Sequence, residues 1–142
     1  MAGIIKHKMT NITDIQILNI PKIHDTRGNL SVIEGNVIPF AMKRVYYLYD
    51  VPSGAERGGH SHKLQQEFLV ALSGSFDVVL TDGQTKRTVT LNKPNEGLLI
   101  PNGIWRELEN FSSGSVCLVI ASDVFEEADY IRDYQSFLSS KN

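Results

Sequence analysis

Short segments in which apolar and polar residues alternate recur along most of this chain. Ile15–Asn19, Leu30–Glu34 and Arg44–Tyr49 are brief and rich in β-branched or aromatic residues, which suit a pleated, half-buried strand. Glu67–Ser73 and Phe76–Thr81 flank Gly74. Lys86–Leu91 then returns as the partner of Phe76–Thr81 across Asp82-Gly83-Gln84, the strongest short hairpin signal in the chain. Gly97–Ile100, Trp105–Asn110 and Val116–Ser122 follow, divided by Pro101-Asn102-Gly103 and Ser112-Ser113-Gly114. Strands at this regular spacing predict an all-β sandwich or barrel. Only the tail changes period. Ala128, Ile131, Tyr134, Phe137 and Leu138 recur at helical intervals, which predicts a short C-terminal helix over 126–139. No repeat, low-complexity segment or linker divides the chain. The expectation is a single domain over residues 1–142, with residues 1–12 as an N-terminal extension.

A chain of 142 residues can bury a core without staples, and 42% hydrophobic with 21% charged residues is a globular balance. The net charge of −2, with both signs interspersed, supplies no field for nucleic acid. No run approaches the ~18 apolar residues of a membrane span, and Met1 to Thr10 shows no leader pattern. Cys117 is the single cysteine and lies within apolar Val116–Ala121, so it is expected to pack in the core. With no internal disulfide possible, the expected location is the reducing cytoplasm.

The chemistry concentrates in two blocks. Gly54, His60-Ser61-His62, Glu67 and Gly74 form the first; Pro101, Gly103, Arg106 and Asn110 form the second. On a strand, His60 and His62 face one side, and Glu67 on the following strand can point to the same place. The alternative is a surface histidine pair in a loop. Trp105 is either a core aromatic or a stacking platform. Tyr46 and Tyr47 point to opposite faces, so one should face the interior. Arg27, Arg44 and Arg57 read either as solvated charges or as a diphosphate clamp, because the guanidinium fork matches phosphate oxygens.

The spacing of the two blocks resembles the paired motifs of the cupin superfamily, which implies a double-stranded β-barrel (jelly roll). Metal-binding cupins use the positions of His60, His62, Glu67 and a histidine where this chain has Arg106. A guanidinium has no lone pair to offer a cation. The expected site is therefore metal-free and needs no cofactor.

Longer stretches narrow the resemblance. Lys43-Arg-Val-Tyr-Tyr-Leu-Tyr49, Glu56-Arg-Gly-Gly-His-Ser-His-Lys63, Leu72-Ser-Gly-Ser75, Ala121-Ser-Asp123 and Asp129-Tyr-Ile-Arg-Asp-Tyr134 are similar to the dTDP-4-keto-6-deoxyglucose 3,4-ketoisomerases. Asp25-Thr-Arg-Gly28 is shared with the related dTDP-sugar epimerases as well. The similarity spans roughly residues 13–138. It implies a homodimer with exchanged strands, two active-site histidines at His60 and His62, and a nucleotide held by arginines and aromatics. It also implies a role in deoxysugar synthesis for a surface glycan such as the O-antigen of lipopolysaccharide. Family members tend to carry histidine where Arg106 stands, and an amide can replace Glu67, which is read as a support residue.

Moving a ketone from C4 to C3 needs no redox cofactor. A base removes the acidified C3 proton, an enediol forms, and an acid protonates C4. Imidazole serves both directions near neutral pH. The expected assignment is His62 at carbon, His60 relaying protons between the oxygens, and Tyr46 as a donor. Arg27, Arg44, Arg57, Lys63, Glu67, Trp105 and Arg106 are expected to bind substrate. An epimerase on the same substrate class, a metal-dependent oxygenase and a non-catalytic sugar-binding protein are the competing readings. Which face of the enediol receives the proton sets C4 as galacto or gluco, and spacing carries no information on that.

Overall fold

Alternation at period two builds two antiparallel sheets that face each other across one core. The computed structural model describes residues 9–142; most of the N-terminal extension, residues 1–8, lies outside them. In chain order the strands are β1 (Gln16–Asn19), β2 (Lys22–Asp25), β3 (Gly28–Ser31), β4 (Arg44–Leu48), β5 (Arg57–His62), β6 (Glu67–Ser73), β7 (Phe76–Thr81), β8 (Lys86–Leu91), β9 (Glu96–Ile100), β10 (Trp105–Glu109), β11 (Val116–Ala121) and β12 (Tyr130–Ile131). A single α-helix, α1 (Tyr134–Ser140), closes the described residues. One sheet runs β1-β9-β6-β11-β4, the facing one β12-β5-β10-β7-β8, and β2-β3 is a separate hairpin. This is the cupin-type double-stranded barrel.

The core follows from the alternation. Leu69, Ala71, Leu98, Ile100, Cys117 and Val119 of the first sheet meet Phe76, Val78, Leu80, Val89, Leu91 and Leu108 of the second. The intervening residues Phe68, Val70, Leu99 and Ile120 point outward, where Ile38, Ile33 and Phe40 of the segment after β3 cover them. The central strands of this sheet are thus buried on both faces, which is why Phe68–Ala71 reads as an unbroken apolar run. Each such side chain contributes about 1.5–3 kcal/mol on burial. Gly97 serves this packing: a Cβ there would fall on the Phe68 ring. Gly74 turns β6 into β7 with φ +68°, and a Cβ would meet Ser112 and Ser115.

Three segments depart from the expected elements. The 126–139 helix is replaced by a 3-10 turn (Glu127–Asp129), the strand β12 and the shorter α1. Tyr130 and Ile131 pair with His62 and Ser61, and this ladder outweighs the helical spacing. Asp133 then caps α1, accepting from Ser136 N at 2.9 Å. The strand expected at Leu30–Glu34 is β3, shifted toward the N-terminus and paired with β2. β2 itself, Lys-Ile-His-Asp, has too little apolar character to be read as a strand.

Candidate active site

β5 contains no apolar residue. It is a strand because β10 and β12 pair with its two edges. His60 and His62 consequently share one side, and Arg106 of β10 sits directly across from His60. Arg106 is 1% exposed. Its Nη1 donates to Glu67 Oε1 at 2.5 Å, while Nε and Nη2 donate to Ile104 O at 3.3 and 3.0 Å. Tyr46 OH donates to Glu67 Oε2 at 2.8 Å. The two histidines face each other Nε2 to Nε2 at 3.2 Å, and lie 3.9 Å (His60) and 3.5 Å (His62) from Glu67 Oε1. His62 Nδ1 is 2.9 Å from Asp129 Oδ2.

The electrostatics follow from this cluster. Burial works against the Glu67 carboxylate, but the nearby histidines and the Arg106 charge outweigh it and hold the carboxyl well below the usual range. Burial also lowers the pKa of His60; Arg106 lowers it further, against an opposing pull from Glu67. His60 is therefore a neutral imidazole at pH 7. Burial, then the Glu67 charge, raises the Tyr46 phenol, which stays protonated. Ligand atoms of His60, His62 and Glu67 lie within 4.8 Å of one another, close enough to meet one cation. Arg106 brings a fixed positive charge to the same carboxylate.

A cavity of about 470 Å³ opens on this cluster, within the usual size of a small-ligand site. Arg44, Tyr46, Arg57, His60, Glu67 and Arg106 all line it, joined by Phe125, Tyr130 and Arg132. Arg44 stacks on Tyr46 and Phe125 at 4.8 and 5.5 Å, and its Nη2 donates to Tyr130 OH at 3.0 Å. Its Nε is buried with no partner. Arg132 lies 4.2 Å over the Tyr130 ring.

Four expected residues stand elsewhere. His62 is 0% exposed and does not line the cavity, whereas His60 does. Trp105 points outward, as the neighbour of inward Arg106 must on a strand, and packs against Tyr134 and Phe137 of α1 at 5.3 and 5.7 Å. Lys63 is exposed, past the end of β5. The Arg27 side chain is 89% exposed on the β2-β3 turn and pairs with Asp25 at 2.7 Å. Tyr47, the outward partner of Tyr46, is exposed as the alternation required. Cys117 packs in the core, where burial pushes its thiol up to about 12.

Sequence reasoning missed Phe125, Tyr130, Arg132 and Asp129. The available signal was the Asp129–Tyr134 stretch itself, whose polar residues were assigned to a helix rather than to a strand beside the histidines.

The chain is similar in sequence and fold to known sugar ketoisomerases. A family model described as FdtA, WxcM-like, C-terminal, matches residues 13–142. The TDP-4-oxo-6-deoxy-alpha-D-glucose-3,4-oxoisomerase of Aneurinibacillus thermoaerophilus is 45% identical over 123 residues, 86% of this chain and 88% of that protein. The crystal structure of a 3,4-ketoisomerase from Helicobacter canadensis is 44% identical, with a TM-score of 0.88 over 90% of this chain and 97% of that one. The 3,4-ketoisomerase QdtA of Thermoanaerobacterium thermosaccharolyticum is 37% identical, with a TM-score of 0.89 over 92% of this chain and 95% of that one. That structure is of a histidine-to-asparagine variant in complex with TDP-4-keto-6-deoxyglucose.

Proposed function

The chain belongs to the FdtA family (WxcM-like, C-terminal), and on that premise we propose that it moves the ketone of dTDP-4-keto-6-deoxyglucose from C4 to C3. It is an isomerase, a nucleotide-sugar 3,4-ketoisomerase. The observation that carries this reading is the meeting, on one cavity, of the neutral His60 imidazole and the Arg106 guanidinium held by Glu67. His60 takes the proton from C3, and the C–H electron pair enters the C3–C4 bond as the enediolate forms. The C4 oxygen gains a proton and C4 is protonated, while the C3 hydroxyl gives up its proton and becomes the ketone. Arg106 faces the charge developing on the oxygens with N–H donors already in place, and Tyr46 joins as a donor by turning its hydroxyl from Glu67 to the substrate. Arg44, with its unpaired Nε, together with Arg57 and Arg132, suits the diphosphate. Phe125 and Tyr130 offer aromatic surface to the nucleotide.

The reaction runs without a metal, since a cation at His60, His62 and Glu67 would sit beside the Arg106 charge. The enzyme is a homodimer with exchanged strands. The support is the β2-β3 hairpin, whose residues are all exposed, including Ile23 at 61% and Leu30 at 55%. An isolated two-stranded hairpin is marginal in water. The setting is cytoplasmic deoxysugar synthesis for a surface glycan such as O-antigen; the buried reduced Cys117 suits that compartment.

The test is incubation with dTDP-4-keto-6-deoxyglucose in D2O, followed by proton NMR and trapping of the 3-keto product with an aminotransferase. The expected product carries its ketone at C3, with deuterium at C4 and none at C5. Deuterium at C5 with the ketone still at C4 makes the protein an epimerase. Tight dTDP-sugar binding without turnover makes it a binding protein.

A further inference from the structure

Asp129 was not among the expected site residues, and it does not line the cavity. It is nonetheless a fixed part of the histidine cluster. The 3-10 turn that ends at Asp129 is tied to the β5 end by Lys63 N, which donates to Asp129 O at 2.9 Å. β12 follows at once and pairs with His62 and Ser61. The carboxylate receives Leu64 N on Oδ1 at 2.8 Å, and Gln65 N on Oδ2 at 3.2 Å. His62 Nδ1 meets Oδ2 at 2.9 Å.

We propose that Asp129 is a positioning residue that sets the tautomers of both histidines and so selects Nδ1 of His60 as the basic atom; this rests on His60 acting as the base. A carboxylate only accepts, so His62 carries its proton on Nδ1. With that proton on Nδ1, the Nε2 of the imidazole offers a lone pair. The nearest ring nitrogen is His60 Nε2 at 3.2 Å, which must donate. That places the proton of neutral His60 on Nε2 and its lone pair on Nδ1. When Nδ1 takes a proton from the substrate carbon, the proton on Nε2 can pass to His62 Nε2. The charge then rests on His62, between Asp129 at 2.9 Å and Glu67 at 3.5 Å. No other reactant is consumed, and the reverse transfer restores His60 for protonation of the sugar.

Asp129→Asn tests this, because the amide can offer Nδ2 as a donor to His62 Nδ1. His62 is then driven to the Nε2–H tautomer, His60 Nε2 must accept, and the His60 proton moves to Nδ1. Long-range 1H–15N NMR, assigned with single His→Asn variants, should show Nδ1–H for His62 and Nε2–H for His60 in the wild type, and the reverse in Asp129→Asn. The kcat of the variant should fall at least ~100-fold, with KM within a few-fold. A wild-type His62 protonated on Nε2 and bare at Nδ1 overturns the proposal, and so does a folded Asp129→Asn that keeps its kcat within a few-fold. If Asp129→Asn does not fold, the wild-type nitrogen shifts decide alone. If the wild type turns over no keto sugar, the ketoisomerase reading falls, while those shifts still decide the tautomers.

Discussion

Replacing Glu67 by Gln and Arg106 by Met, singly and together, tests whether the cluster is held by one buried charge pair. The two side chains are each 2% exposed and meet at 2.5 Å. Glu67→Gln leaves the guanidinium with only the Ile104 carbonyl and an amide. Arg106→Met leaves a buried carboxylate with the Tyr46 hydroxyl and two imidazoles. Removing one partner of a buried pair costs about 3–5 kcal/mol. At roughly 2–4 °C per kcal/mol for a chain of this size, each single variant should lose about 6–20 °C in Tm. The double variant buries no uncompensated charge and should lie within ~2 kcal/mol of wild type. The coupling energy is then at least about 4 kcal/mol, far above the ~0.5 kcal/mol within which independent sites add. Calorimetry and urea unfolding at one fixed protein concentration measure it, since association makes Tm concentration-dependent. A second readout is the His60 titration by NMR. Arg106 lowers its pKa and Glu67 raises it, so the two single variants should shift it in opposite directions, upward in Arg106→Met and downward in Glu67→Gln. Additive losses, or His60 shifts of the same sign, would refute the pair as the organising contact.

Four further outcomes are expected. The pKa of His60 is lowered from 6.5, so below 6.5 the unfolded chain binds the proton more readily and stability falls as pH drops through that window. The acid limb of kcat/KM should accordingly show an apparent pKa below 6.5, and a value above 7 would assign the base elsewhere. Ile23→Asp with Leu30→Asp should turn a dimer into a monomer by light scattering, and an unchanged mass removes the hairpin from the interface. Purified enzyme should hold no stoichiometric transition metal and keep its turnover in EDTA; loss of activity restored by one added metal would overturn the metal-free reading.

The barrel was legible where short apolar or alternating runs are divided by clear turn signals. Phe76–Thr81, Lys86–Leu91 and the turn between them occur where apolar alternation and Asp82-Gly83 place them. The same rule could have excluded Trp105 from the cavity, since Arg106 beside it faces inward and adjacent strand residues cannot share a face. The tail was harder. Ala128, Ile131, Tyr134 and Phe137 keep helical spacing, but Tyr130–Ile131 sits at the open edge of β5 and pairs there, which satisfies backbone groups of both strands. That long-range ladder leaves no local trace in the sequence, and it carries Asp129, Tyr130 and Arg132 to the histidines. His60 and His62 were correctly placed on one side of a strand. Their difference in access arises because β12 and the Tyr130 ring, 4.4 Å from the His62 ring, close over the end of β5.

Position 106 shows how one side chain sets the chemistry this barrel can support. An enolate forms only if its negative charge is met as it develops, and a metal cupin can meet it with a Lewis-acid cation. Here the positive charge is covalently part of β10. It is buried, fixed by the Ile104 carbonyl and Glu67, and needs no reorganisation when the carbon proton leaves. The same charge helps to lower the pKa of His60, which keeps the base neutral and ready at pH 7. Glu67 opposes that effect, and without it the guanidinium would be a buried charge with no counter-ion. Base, cation and carboxylate are thus interdependent: removing any one changes the charge state or the stability of the other two. In the proposed reaction such a cavity suits proton transfer at adjacent carbons, because a base held at a low pKa, once protonated and exchanged with solvent, readily gives a proton to C4.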